Sequence, residues 1–298
     1  MQIRYEIHDE RFNDLFDTGE DLKTITTGFR FLEGPVWHPY DHVLIFSDIL
    51  ANCLYKYSQD KGISTLRGHS YMANGNTLDR QGRLLTCEHA TSRVTRAEND
   101  GSVEVLAFHY EGKALNSPND IVVKGDDGIY FTDPNSGREP RVGVPREKEL
   151  PFQGVFRINR DGTLILLADD FSKPNGLCFS KDEKQLFVND TDRQHIRVFD
   201  VREDGTLANG RVWAELTVDL PGVADGMKID SEGNLYCAGP GGIHVFDPDA
   251  RLLGRVFLPE FAANFTWGGD DLRTLYLAGS TALYRLRVKT PGRQLFYR

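Results

Sequence analysis

The 298-residue chain reads as an all-β, six-bladed β-propeller filling residues 1–298 as a single domain. A hairpin pattern recurs six times, its second-strand markers Leu44, Leu84, Ile129, Leu186, Leu235 and Leu275 falling at intervals of 40 to 57 residues, near the length of a four-stranded blade. Ten or eleven residues before each marker stands a carboxylate or an amide: Glu33, Asn74, Asn119, Asn175, Asp225 and Asn264. Composition agrees, because 29 Gly suit a turn-rich chain and 18 Phe with 11 Tyr supply a core. Six similar units that each need a neighbour to bury their faces argue for one closed ring rather than two domains.

In chain order, residues 1–20 read as a partly helical or irregular extension, with Phe12, Leu15 and Phe16 available to pin it to the body. Residues 21–27 are placed as an outer strand that closes the final blade and removes the open edge, with 294–297 as the competing segment. The clearest repeat is LNSPNDIVVKGDDGIYFTDP, 115–134, an apolar run, a Gly/Asp turn and a second apolar run. Third strands follow at 53–57, 93–96, 154–158, 195–199, 242–246 and 282–286. Outer strands such as 162–167 and 251–257 are less regular, as strands facing solvent are. Blade three departs from the spacing through an insertion, 134–153, polar and carrying Arg138, Arg141, Arg146 and Lys148. A loop of that length in a compact domain is usually functional or disordered.

A net charge of −9 disfavours nucleic acid and anionic membranes as partners. The start lacks the apolar run of a signal peptide and no apolar stretch is long enough to span a bilayer, so a cytoplasmic location is expected. Monomer and homodimer are both open. Cys53, Cys87, Cys178 and Cys237 lie in predicted strands without close pairing and read as small core residues rather than disulfides or zinc ligands.

Topology gathers the polar residues. In a blade the first strand follows the axis and the second returns antiparallel, so the start of the first and the end of the second share a face. The six polar residues, the insertion, and Asp48, Glu88 with His89, Asp133 and Asp190 therefore share one mouth. The axial set offers oxygen donors only, which suits a hard divalent cation, calcium ahead of magnesium, with zinc as a further alternative. The competing explanation is local capping of strand entrances, which fits Asn74 and Asn264 best. It fits Glu33 least, because Glu is a poor turn residue and a lone buried carboxylate is costly. His89 ends a second strand at the mouth and is a candidate for substrate contact or proton transfer.

FLEGPVWHP (31–39), LNSPNDIVVK (115–124), KPNGLCFSKDEKQLFVNDT (173–191) and ADGMKIDSEGNLY (224–236) together resemble the gluconolactonase family, relatives of regucalcin, the senescence marker protein. The resemblance runs from about residue 20 onward. It implies a six-bladed propeller with one divalent metal in the axial channel and hydrolysis of sugar lactones, such as gluconolactone to the aldonic acid. Carried over by position, it makes Glu33, Asn175 and Asp225 metal ligands, Asn119 a ligand or substrate contact, and Asp225 the candidate general base. The regucalcin branch has an Arg two residues before the position of Asn119, where this chain has Ser117, leaving contacts to the sugar ring to His89, Glu88 or the insertion. Rival expectations are a broader metallo-esterase acting on aryl esters or phosphotriesters, and a non-catalytic calcium-binding propeller scaffold. The absence of Gly-x-Ser-x-Gly counts against a serine hydrolase.

Overall fold

A computed structural model of the chain describes residues 1–293. Turns rich in Gly, Asn and Asp cut the chain into short antiparallel strands that pair into six blades around an axis. From axis to rim, blade one is Leu32–His38, Val43–Asp48, Cys53–Ser58 and Gly62–Gly68. The innermost strands of blades two to six are Ala73–Leu78, Ile121–Val123, Pro174–Phe179, Met227–Ile229 and Ala262–Gly268. A small hairpin, His109–Tyr110 with Lys113–Ala114, bridges blades two and three.

Strands here are apolar on both faces because each blade is sandwiched. In Ile129–Asp133 of blade three, Ile129 and Phe131 pack with Leu85, Cys87 and Val94 of blade two, whereas Tyr130 packs with Leu177 and Leu186 of blade four. One apolar cluster fills each junction between neighbouring blades, and the smallest, Val36, Ile45 and Leu78, lies between blades one and two. The Tyr130 hydroxyl stays satisfied by donating to Gly205 O (2.8 Å). Cys87, Cys178 and Cys237 are buried and all four cysteines are free thiols, in keeping with a packing role.

The ring closes through its N-terminal segment. Lys23–Thr27 pairs antiparallel with Ala282–Arg287 as the outer strand of blade six; the rival segment 294–297 lies outside the described residues. Arg4–Ile7, like the hairpin 109–114, was not anticipated, and adds a fifth strand to blade five against Leu252–Phe257. Gly254 makes this pairing possible, since a Cβ there would lie 2.4 Å from Glu6 O. The short helix Phe12–Leu15 follows, and Phe12, Leu15 and Phe16 are buried beside Tyr236 and Phe265. Among the described residues no helix is long and apolar enough to cross a membrane.

Candidate active site

Each axial residue is delivered by a β-bulge at the start of its innermost strand. In blade three, Asn119 N donates to Thr132 O (2.8 Å) while Thr132 N donates to Asp120 O (3.1 Å), so two residues face one. Asp225 and Gly226 face Ala238 in the same way, and the register also shifts next to Glu33, Asn74, Asn175 and Asn264. A bulge re-aims a side chain out of the pleat, here toward the axis. The next residue is Gly in four blades for a steric reason: a Cβ at Gly34, Gly75 or Gly176 would lie 2.0, 2.4 or 2.2 Å from the carbonyl oxygen of Asn74, Asn119 or Asp225. A Cβ at Gly226 would meet the Asn264 side chain. Second-strand side chains then fasten each blade to the next: Ser47 Oγ donates to Asn74 O (2.7 Å), Thr132 Oγ1 to Asn175 O (2.7 Å) and Asn189 Nδ2 to Asp225 O.

The carboxylates ending the second strands do something else. Asp48 accepts hydrogen bonds from Arg30 N and Phe31 N (2.9 and 3.0 Å), Asp133 from Asn116 N and Ser117 N (both 2.8 Å), and Asp190 from Ser172 N and Lys173 N (2.8 and 3.1 Å). Each clasps the loop that leads into an axial residue. Burial nonetheless pushes Asp133 up to about 7. Glu88 departs from the sequence-based expectation of a substrate contact. Its carboxylate is sealed from solvent and taken up by Arg93 (2.8 Å), Thr91 (2.7 Å), Thr95 (3.2 Å) and Arg67 (3.3 Å), which makes it a buried structural anchor.

On the axis the structure brings Glu33, Asp225, Asn175 and Asn264 together. Glu33 Oε2 accepts from Gly34 N (2.8 Å) and Asn264 Nδ2 (3.0 Å), and its carboxyl meets that of Asp225. Burial, then the charge of Glu33, raises Asp225 well above the ordinary aspartate range; burial raises Glu33 too. The Asn175 side chain reaches Asp225 and donates to Thr191 Oγ1 (3.1 Å). Asn119 holds the equivalent place in blade three; its backbone carbonyl accepts from Gly75 N (2.8 Å), while its side-chain amide makes no hydrogen bond among the described residues. A further carboxyl went unnoticed in the sequence. Asp120 occupies the position that is Gly in four other blades, is buried with Oδ2 unpartnered among the described residues, and adds its charge to both Glu33 and Asp225. The break in the Gly pattern was the available signal.

The insertion lies on the same mouth. It runs from 134 to 152 with one 3₁₀ turn, Ser136–Arg138. Arg138 donates to the carbonyls of Asn116 (2.7 Å) and Leu115 (2.6 Å), Arg146 to His89 O and Ser92 Oγ (both 2.6 Å), and Lys173 of blade four reaches Glu139 (3.4 Å). Ser117 explains how the loop sits so deep: its Oγ accepts from Gly137 N (2.9 Å), and a Cβ on Gly137 would lie 2.6 Å from Ser117 Cβ. The loop fills space that a long side chain at 117 would need. His89 is buried beneath it, its imidazole held near 4 and hence neutral by loss of solvent. At the far ends of the innermost strands a separate cavity of about 660 Å³ opens, lined by Val36, Trp37, Val122, Lys228 and Trp267 among others.

Comparison with known proteins places this geometry in a family. The model of the SMP-30/gluconolactonase/LRE-like region matches residues 31–281. A gluconolactonase from Zymomonas mobilis is 31% identical, over 95% of this chain and 85% of its own length. A pentonolactonase from Haloferax volcanii is 26% identical over 92% and 96%. The solved structure of a gluconolactonase from Xanthomonas campestris superposes with a TM-score of 0.88 at 34% identity, covering 95% of this chain and 94% of that one. The chain therefore belongs to the SMP-30/gluconolactonase/LRE-like family.

Proposed function

We propose that this chain hydrolyses sugar lactones, with gluconolactone as the representative substrate and the axial cluster Glu33, Asn119, Asn175 and Asp225 as the reaction centre. The relatives named as lactonases support the substrate class. The observation that carries the site is the contact between the carboxyls of Glu33 and Asp225, whose most influential charged neighbour is a third carboxyl, Asp120.

Two ionised carboxylates cannot be held together in a buried site without a compensating positive charge. No three His, Cys, Asp or Glu side chains cluster as ligands among the described residues, so any cation here would rest on two carboxylates supplemented by amide oxygens. That donor set fits a hard divalent cation, calcium first and magnesium second, and suits zinc, the remaining alternative, least. Glu33, Asn119, Asn175 and Asp225 would hold it. When bound, such a cation supplies Lewis-acid polarisation of the lactone carbonyl and stabilises the negative charge that develops on its oxygen. Asp225 accepts the proton of the attacking water and Glu33 holds Asp225 in place across the axis. Asn119, its amide otherwise unengaged, is placed to contact the lactone, and the 134–152 loop restricts access of bulk water to the mouth.

The test is a lactone panel assayed before and after exhaustive chelation, with elemental analysis of the purified protein. Hydrolysis lost on chelation and restored by calcium is the expected result. Undiminished hydrolysis by a metal-free sample would remove the cation from the reading. Bound metal without turnover of any lactone would point to a non-catalytic calcium-binding scaffold.

A further inference from the structure

Asn74 and His89 form a relay from the insertion to the axis. His89 Nδ1 lies 3.0 Å from Val142 O, and His89 Nε2 lies 3.0 Å from Asn74 Nδ2. A backbone carbonyl can only accept, so Nδ1 carries the imidazole proton and Nε2 presents a lone pair. That lone pair requires the NH₂ arm of Asn74 to point at His89, which turns Asn74 Oδ1 away from it, on the side of the axial ring. Oδ1 accepts no hydrogen bond among the described residues, although Asn74 is only 4% exposed. The backbone of Asn74 is separately fixed, its carbonyl accepting from Ser47 Oγ (2.7 Å) and Asn76 Nδ2 (3.0 Å). The loop end of the relay is equally constrained: a Cβ on Gly137 would lie 2.5 Å from His89 Cγ, and Arg146 grips His89 O.

We infer that Asn74 is a specificity-determining residue that accepts a hydrogen bond from a ring hydroxyl of the lactone, and that His89 is a positioning residue which, locked by Val142 O, keeps the Asn74 oxygen turned toward the substrate. This deepens the lactonase reading and rests on it. His89 then takes no part in proton transfer. The insertion acts on specificity through a backbone carbonyl rather than through its basic side chains, of which Arg138 and Arg146 are occupied by main-chain carbonyls.

The test compares kcat/KM for glucono-1,5-lactone with that for δ-valerolactone, which has the same ring without hydroxyls, in the metal-replete protein. A buried acceptor left without its hydroxyl discriminates strongly, so Asn74→Ala is expected to lower the gluconolactone-to-valerolactone ratio by about tenfold or more, mainly through KM. His89→Ala should lower the same ratio, because the freed amide can rotate. His89→Gln should restore much of it, since one amide can donate to Val142 O and accept from Asn74 Nδ2. Melting curves confirm that each variant is folded. A ratio unchanged in Asn74→Ala, in protein active on both lactones, overturns the inference; so does a His89→Ala variant that alters kcat on both lactones equally. A wild-type protein inactive on both overturns the lactonase reading instead.

Discussion

Glu33 and Asp48 belong to neighbouring strands of one blade, Asp48 lying opposite Leu32 in the register, and they are 3% and 1% exposed. Burial does not distinguish them, but their partners do. Asp48 accepts from three backbone N–H groups, those of Arg30, Phe31 and Ala51. Glu33 accepts from one backbone N–H and one amide, and it faces another carboxyl. The first arrangement satisfies a negative charge, whereas the second concentrates it and so favours a proton or a cation. A sealed carboxylate is therefore a candidate for chemistry only after its hydrogen-bond donors have been counted.

The contrast is broken most severely at Asp225. Asp225→Asn keeps an oxygen and the side-chain shape but removes the base, and kcat should fall by roughly 10²- to 10⁴-fold even at saturating metal. Asn175→Ala should instead recover as metal is added, because its defect is occupancy. If titrating metal into Asp225→Asn brings back most of its rate, Asp225 is a ligand and not the base.

Stability separates the two kinds of carboxylate by sign. Asp48→Ala leaves three partly buried N–H groups without their acceptor and should cost on the order of 1–3 kcal/mol, with little change in kcat where the variant is folded. Glu33→Gln should raise the melting temperature of the metal-free protein at pH 8, since it relieves the contact with Asp225, while weakening metal binding. A parallel fall in both melting temperatures would erase the distinction.

The same pair sets a pH dependence. In the folded, metal-free chain Glu33 keeps its proton above its ordinary 4.5, up to about 7, so over that window the folded state binds more protons than the unfolded. Its contribution is fully present below 4.5 and is lost as pH rises through about 7. Asp133, also raised to about 7, acts in the same direction, and His89, held near 4, acts oppositely on the acid side, losing stability as pH falls below 6.5. Denaturation of the chelated protein across pH 5 to 8 should show stability falling with pH by on the order of 1–3 kcal/mol, a slope reduced in Glu33→Gln and after metal addition. The smallest effect expected is from shortening the 134–152 loop to a tight turn, which should raise KM by about tenfold or less and leave metal content unchanged. Identical kinetics across a lactone panel would detach the loop from the site.

The ring and its axis were legible because a propeller repeats its grammar: one polar residue at one repeat position, six times, needs no tertiary knowledge. The clasps were not. Asp48, Glu88, Asp133 and Asp190 end equivalent strands, and nothing local says that three of them hold backbone N–H groups while Glu88 meets Arg67 and Arg93. Nothing in the sequence separates Gly34 from an ordinary turn glycine, yet its φ of 52° belongs to a bulge whose neighbour, Asn74 O, excludes a side chain. Arg4–Ile7 was missed because four residues carry too little alternation to announce a strand, and only the edge of blade five gives them a partner.

The closing strand has a consequence for how the chain comes to be folded. Lys23–Thr27 precedes the strands of every blade and pairs with Ala282–Arg287 of the sixth, so the seam cannot be made until all six blades have been synthesised. Until then blade one has no neighbour for Leu44, Phe46 and Tyr57, which pack against Tyr276 and Leu283 of blade six. A nascent chain thus carries an apolar flank and an unpaired edge until its sixth blade has been made, the condition under which chains associate with one another. Refolding from denaturant should be correspondingly slow and concentration-sensitive, limited by meeting of the two ends rather than by formation of any one blade.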